Sequence, residues 1–130
     1  MACPLPFATF ALQQEPFVVR ITINHEQGDE KDFQDIIAAF LKIFEFQKNV
    51  AIIIDASSLK AINKQNLKNV RHCIRNNRPI FENYLKCSTI VIRSVIIKNV
   101  INTLFKIQPP VRPNKIVNSV EEAERFISAY

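Results

Sequence analysis

The 130-residue chain reads as a single α/β domain, with a mixed central sheet of about four to five strands and about four helices. Three observations predict it. The segment Val50-Ala51-Ile52-Ile53-Ile54 is an unbroken aliphatic run with no polar position, so as a strand it must be covered on both faces, as in a sheet clothed by helices. The patterns on either side of it are helical. Downstream, strand-like and helix-like stretches alternate to the C-terminus, the arrangement that builds parallel sheets.

Taken in order, residues 1–16 form an N-terminal segment punctuated by Pro4, Pro6 and Pro16, in which Phe7 to Leu12 is predicted as an edge strand turning into a hairpin. Phe17 to Ile23 supplies the second strand, with Val19, Ile21 and Ile23 on one face and Arg20 and Thr22 on the other. The sole glycine, Gly28, breaks the chain, and Asp29 caps a helix with acidic residues in its first turn, where the macrodipole is positive. Phe33, Ile36, Ile37, Phe40, Leu41 and Phe44 give that helix an apolar stripe, and it ends near Gln47.

After the aliphatic strand, a second helix is predicted over about residues 63–77, stopped by Arg78-Pro79. Its inner face is Leu67, Val70 and Ile74. A strand over 86–93 and a helix over 95–107 follow. Pro109, Pro110 and Pro113 then extend the chain into a short strand at 115–118. Ser119-Val120-Glu121-Glu122 has capping-box spacing, and the final helix turns Val120, Ala123, Phe126 and Ile127 inward.

Composition narrows the function classes. A domain of this length buries roughly two thirds of its unfolded surface and folds without staples. Cys3, Cys73 and Cys87 are odd in number, share no close spacing and follow no secretory signal, which suits a reducing, intracellular setting: cytoplasm, nucleus or virion. The most apolar helix is interrupted by Lys98, Asn99, Asn102 and Lys106, so no transmembrane span is expected. One glycine cannot furnish the glycine-rich loops that hold dinucleotides or nucleoside triphosphates. Richness in Ile, Asn and Lys matches an AT-rich coding genome such as that of a protist, some bacteria or a large DNA virus.

No catalytic set, metal site or cofactor is expected. His25 and His72 lack Cys, Asp or Glu at ligand spacing, and His72 and Cys73 diverge by about 100° on a helix. Cys73 reads as a small core-edge residue and His72 as exposed. Asp55 ends the aliphatic strand, where open α/β sheets place ligands, and with Ser57 and Ser58 it forms a candidate strand-end site. Its nearest partners in sequence are Lys60 and Asn63, too few for acid–base work, and Ser57 and Ser58 serve equally as turn and cap residues.

The second candidate is a basic stripe. Lys64, Lys68, Arg71 and Arg75 are spaced by four, three and four and fall on one narrow helix face, with Arg78 as an extension. At net charge +5 and pI near 9.3, such a stripe suits an acidic protein, a phosphate backbone or an anionic membrane surface; an ordinary solvated helix face accounts for it too. The lack of tryptophan and of interleaved exposed aromatics counts against nucleic acid.

Three stretches carry a family resemblance: Ile52-Ile53-Ile54-Asp55-Ala56-Ser57; Thr89-Ile90-Val91-Ile92-Arg93 with the helix ending Leu104-Phe105-Lys106-Ile107; and Lys115-Ile116-Val117-Asn118-Ser119-Val120-Glu121-Glu122-Ala123. Together with the element order they resemble the STAS domain family, the fold of anti-sigma-factor antagonists and of the cytoplasmic tails of sulfate transporters, over residues 17–130. The resemblance implies a STAS-like sandwich that binds another protein or a second copy of itself. Signalling members carry a phosphorylatable serine in an Asp-Ser-Ser-Gly turn at the start of the second helix. That position falls near Asn63-Lys64-Gln65, which has no hydroxyl; a shifted register places Ser58 there without the family glycine. The Arg78 to Leu85 connection is longer than its family counterpart. The expectation is a non-enzymatic protein-interaction module without the serine switch, and the alternative is an anion-binding module using the basic stripe.

Overall fold

The computed structural model describes residues 7–14 and 16–130 in full, and of the first six residues only the backbone of Ala2–Pro4. The side chain of Cys3 and the turn residue Pro6, both used in the sequence reading, lie outside the described residues. The chain is α/β. Among the described residues six strands, β1 (Ala2–Pro4), β2 (Ala8–Gln14), β3 (Phe17–Ile23), β4 (Val50–Asp55), β5 (Leu85–Val91) and β6 (Asn114–Val117), lie side by side in chain order. The helices are α1 (Glu30–Ile43), α2 (Lys64–Asn76), α3 (Arg78–Tyr84), α4 (Val95–Ile107) and α5 (Val120–Ser128).

β1, β2 and β3 form an antiparallel meander, and β3 to β6 run parallel. The expected hairpin pairs Ala8 with Ile23 and Gln14 with Phe17. The edge position expected for Phe7 to Leu12 belongs to β1, which pairs Ala2 with Ala11 outside β2.

Each parallel crossover moves one strand in the same direction. Right-handed connections of that kind bring successive helices to one face. The packing agrees: Phe33, Ile43 and Phe44 from the α1 region, Phe81 of α3 and Ile97 of α4 join the helix-side residues Val19, Ile21, Ile23 and Ile52. The opposite face of the central strands, with Ile53, Val91 and Val117, is covered by α5 through Ala123, Val120 and Ile127. Ile52 and Ile53 are 0% and 4% exposed, so β4 is shielded on both sides as its sequence requires. A register shift between Val50 and Ala51 pairs Leu85 with Val50 and Cys87 with Ala51, which lets Leu85 join the same core cluster as Val50.

Local chemistry sets the boundaries. Asp29 accepts the Asp32 amide and Asp32 accepts the Asp29 amide, each at 2.9 Å, a reciprocal cap on α1. A 3-10 turn at Phe44–Phe46 closes onto Gln47 in the left-handed region, φ 55°. Gly28 has no positive φ; a Cβ there would lie 2.6 Å from the Phe7 ring, so glycine is required by close packing.

Two helix boundaries also depart from the sequence reading. Arg78-Pro79 ends α2 but opens α3, where proline in the first turn costs no intrahelical bond, so the long connection is itself helical. At α5, Ser119 accepts the Glu122 amide at 3.2 Å, while the reciprocal glutamate bond of a capping box is not made.

Candidate functional surfaces

Asp55 is 9% exposed at the end of β4. Its Oδ1 accepts the Ser57 amide at 3.1 Å and the Ser57 hydroxyl at 2.6 Å, an Asx-type turn that ends the strand. Its Oδ2 lies 3.8 Å from the Arg20 guanidinium on neighbouring β3. Ser58 is exposed beside them. Thus Asp55 and Ser57 come together as read from sequence, and Arg20 is the partner that reading missed. The available signal was Arg20's position on the face opposite Val19 and Ile21, but pairing it with Asp55 needed the β3–β4 register. Neither expected partner serves: Lys60 pairs with Glu26 at 3.0 Å, and Asn63 caps α2 by accepting the Asn66 amide at 2.8 Å. α2 therefore starts at Asn63-Lys64 with no hydroxyl at its cap.

The basic stripe divides. Lys64, Lys68 and Arg71 line one wall of a groove of about 550 Å³ between α2 and α4. Leu67 from α2 and Val100, Leu104 and Ile107 from α4 give it an apolar lining, and Asn99 and Thr103 are the polar residues of the facing wall. Arg75 is exposed and does not line the groove. Arg78 leaves the stripe, because α2 stops at Asn76 and the chain turns into α3, where Arg78 sits 3.9 Å from Glu82. Among the described residues none of Lys64, Lys68, Arg71 or Arg75 has an ion-pair partner, and the Nε of Arg71 is shut from solvent without a hydrogen bond.

The field of this wall is felt by His72, which is partly exposed. Partial removal from water, then the charges of Arg75, Lys68 and Arg71, lower its pKa below 6.5. α4 also exposes apolar side chains: Val95 and Ile96 at its start are 71% and 70% exposed, and Ile107 at its end is 63% exposed. The sequence marked α4 as a helix but gave no sign that its far half faces α2.

The inner face of α2 holds one surprise. Leu67, Val70 and Ile74 are each only partly buried, whereas Asn66 is 0% exposed. Cys73 borders the core, and burial pushes its thiol up to about 11 against a hydrogen bond from Asn77 that lowers it. No group of described residues has the His, Cys, Asp or Glu grouping to hold a metal ion. No helix among the described residues is long and apolar enough to cross a membrane.

On the other face of the sheet, a second concavity of about 600 Å³ runs from β2 and β3 to α5 and carries Arg20, Lys86 and Glu124, charges of both signs. No family model, curated protein or solved structure matches this chain.

Proposed function

We propose that this chain is a non-enzymatic protein-interaction module of the STAS type, acting through the outer face of α2 and α4. The element order supports the type: after the N-terminal meander, helix and parallel strand alternate and a last helix covers the opposite face. The observation that carries the function is the groove, an apolar lining bordered on one wall by cations that nothing in the described chain neutralises. Exposed apolar area beside unpaired charge is the makeup of a contact site. The strand-end carboxylate is engaged by its own turn and by Arg20, so its local role is to close β4 and orient the Ser57-Ser58 loop. No serine stands at the α2 cap, so the reading includes no phosphoserine switch there. The free thiols of Cys73 and Cys87 suit a reducing intracellular compartment.

A second reading is favoured by the same unpaired cations: an anion-binding module for nucleic acid or phospholipid head groups. The groove's apolar lining, which contains no aromatic side chain for a base to stack on, weighs against it. Salt separates the two. Titration against duplex DNA and against phosphatidylserine vesicles is expected to show only non-specific affinity, about 10⁻⁴ to 10⁻⁶ M, fading as salt rises. Submicromolar binding to either at physiological salt, lost in a Lys68→Glu, Arg71→Glu variant, would replace the protein-interaction reading with the anion-binding one.

A further inference from the structure

We infer that the α2–α4 groove receives one acidic amphipathic helix from a different protein. The inference rests on the interaction-module reading and names its occupant. The lining runs from Lys64 to Arg71 on one wall and from Asn99 to Ile107 on the other, about 10–12 Å at 1.5 Å per residue, enough to seat two turns of a guest helix. The lining is aliphatic, Leu67, Val100, Leu104 and Ile107, which suits side chains spaced i, i+3/i+4 and i+7 on a guest helix.

Charge complementarity then selects the guest. One wall presents Lys64, Lys68 and Arg71, about one helical turn apart and without an ion-pair partner among the described residues, while the groove residues of α4 are all neutral. A guest with Asp or Glu one turn to the side of its apolar stripe would place carboxylates along the cationic wall and its polar neutral residues against Asn99 and Thr103. A basic or neutral helix would leave these cations desolvated and uncompensated.

A second copy of this chain does not supply the guest. Its helices with acidic first turns are α1 and α5, and both turn their apolar residues into the core, Phe33 and Ile43 in one and Ala123 in the other. The occupant is therefore a separate acidic polypeptide.

The test is selection of a random 16-residue peptide display library against the intact protein, followed by affinity measurement of the enriched peptides and circular dichroism of the bound forms. Expected are peptides of net negative charge with apolar residues at helical spacing, which gain helicity on binding. Their affinity should fall at least tenfold in Lys68→Glu, Arg71→Glu, and also in Val100→Arg, which keeps the cations and obstructs the opposite wall. Enriched peptides that are basic, proline-rich or extended, or that bind both variants unchanged, would overturn the groove assignment and leave the interaction-module reading standing. Failure of any peptide to enrich over several rounds would sink both.

Discussion

Asn66, in the first turn of α2, donates its side-chain amide to the carbonyl of Gly28, 38 positions earlier, at 3.1 Å. A second carbonyl, that of Asp29, lies 3.5 Å away. The bond ties α2 to the entrance of α1, two elements with no sequence proximity. In a helix face read from periodicity alone, a polar residue at this position looks exposed, yet it is 0% exposed. Replacement by alanine leaves a part-buried carbonyl without its donor. Asn66→Ala should lower stability by about 1–3 kcal/mol in urea denaturation. A loss below a few tenths would mean that water replaces the amide.

Gly28 is held against an aromatic wall. Phe7 is 3% exposed, stacks on His25 at 5.9 Å and leans on Phe33 at 5.3 Å, so its ring has little room to retreat from a Cβ that would sit 2.6 Å away. Gly28→Ala is expected to cost about 1–3 kcal/mol through overpacking. The double variant Gly28→Ala, Phe7→Leu should recover part of that loss, a non-additivity that a thermal melt series can read.

Cys73 should behave as an inert thiol. With its pKa pushed by burial up to about 11 from 9.0, the folded state holds the proton more tightly than the unfolded chain. The contribution to stability is full below pH 9 and is lost as pH rises toward 11. Denaturation midpoints measured from pH 8.5 to 11 should fall more steeply in the parent than in Cys73→Ala. Alkylation by iodoacetamide at pH 8 should run slower than for the unfolded chain.

His72 reports on the basic wall without any ligand. Its pKa lies below 6.5, through partial loss of hydration and the nearby Arg75, Lys68 and Arg71. A depressed pKa means that the unfolded chain binds more protons as pH falls below 6.5, so this residue's contribution to stability is present above that value and is lost on acidification. Reversing Lys68 and Arg71 to Glu should move its titration midpoint upward in proton NMR. An unmoved midpoint would show that the three cations do not act together as one surface.

The core retains an apolar cavity of about 180 Å³ between the helix layer and the sheet, lined among others by Ile54, Ile90, Ile74, Phe105 and Cys73. Even on the interior strands β4 and β5, Ile54 and Ile90 keep some exposure. Cys73→Leu adds aliphatic volume at this cavity and is expected to raise stability by about 0.5–2 kcal/mol. An unchanged or lower melting temperature would show that the cavity cannot take the added carbon atoms without strain.

The order of elements, their class and most of their limits were legible in the chain because they depend on short-range physics. An all-aliphatic run that forms a strand has to be covered on both faces. Asp29 and Asn63 cap their helices because their side chains reach backbone amides three residues on. The exposed face of α2 followed from a period of 3.6, and three of its cations do lie together at one groove. Arg78 fell outside that rule because a proline that stops one helix is equally able to start another, and periodicity cannot tell which.

What the tertiary structure alone decided was which distant faces meet. The strands' order in the sheet brought Arg20 to Asp55, the crossovers placed α4 alongside α2 to turn a charged stripe into a wall, and the packing of Phe7 made Gly28 obligatory. Such contacts join residues tens of positions apart, where no local spacing constrains them. They are set by how whole helices and strands stack to remove apolar surface from water.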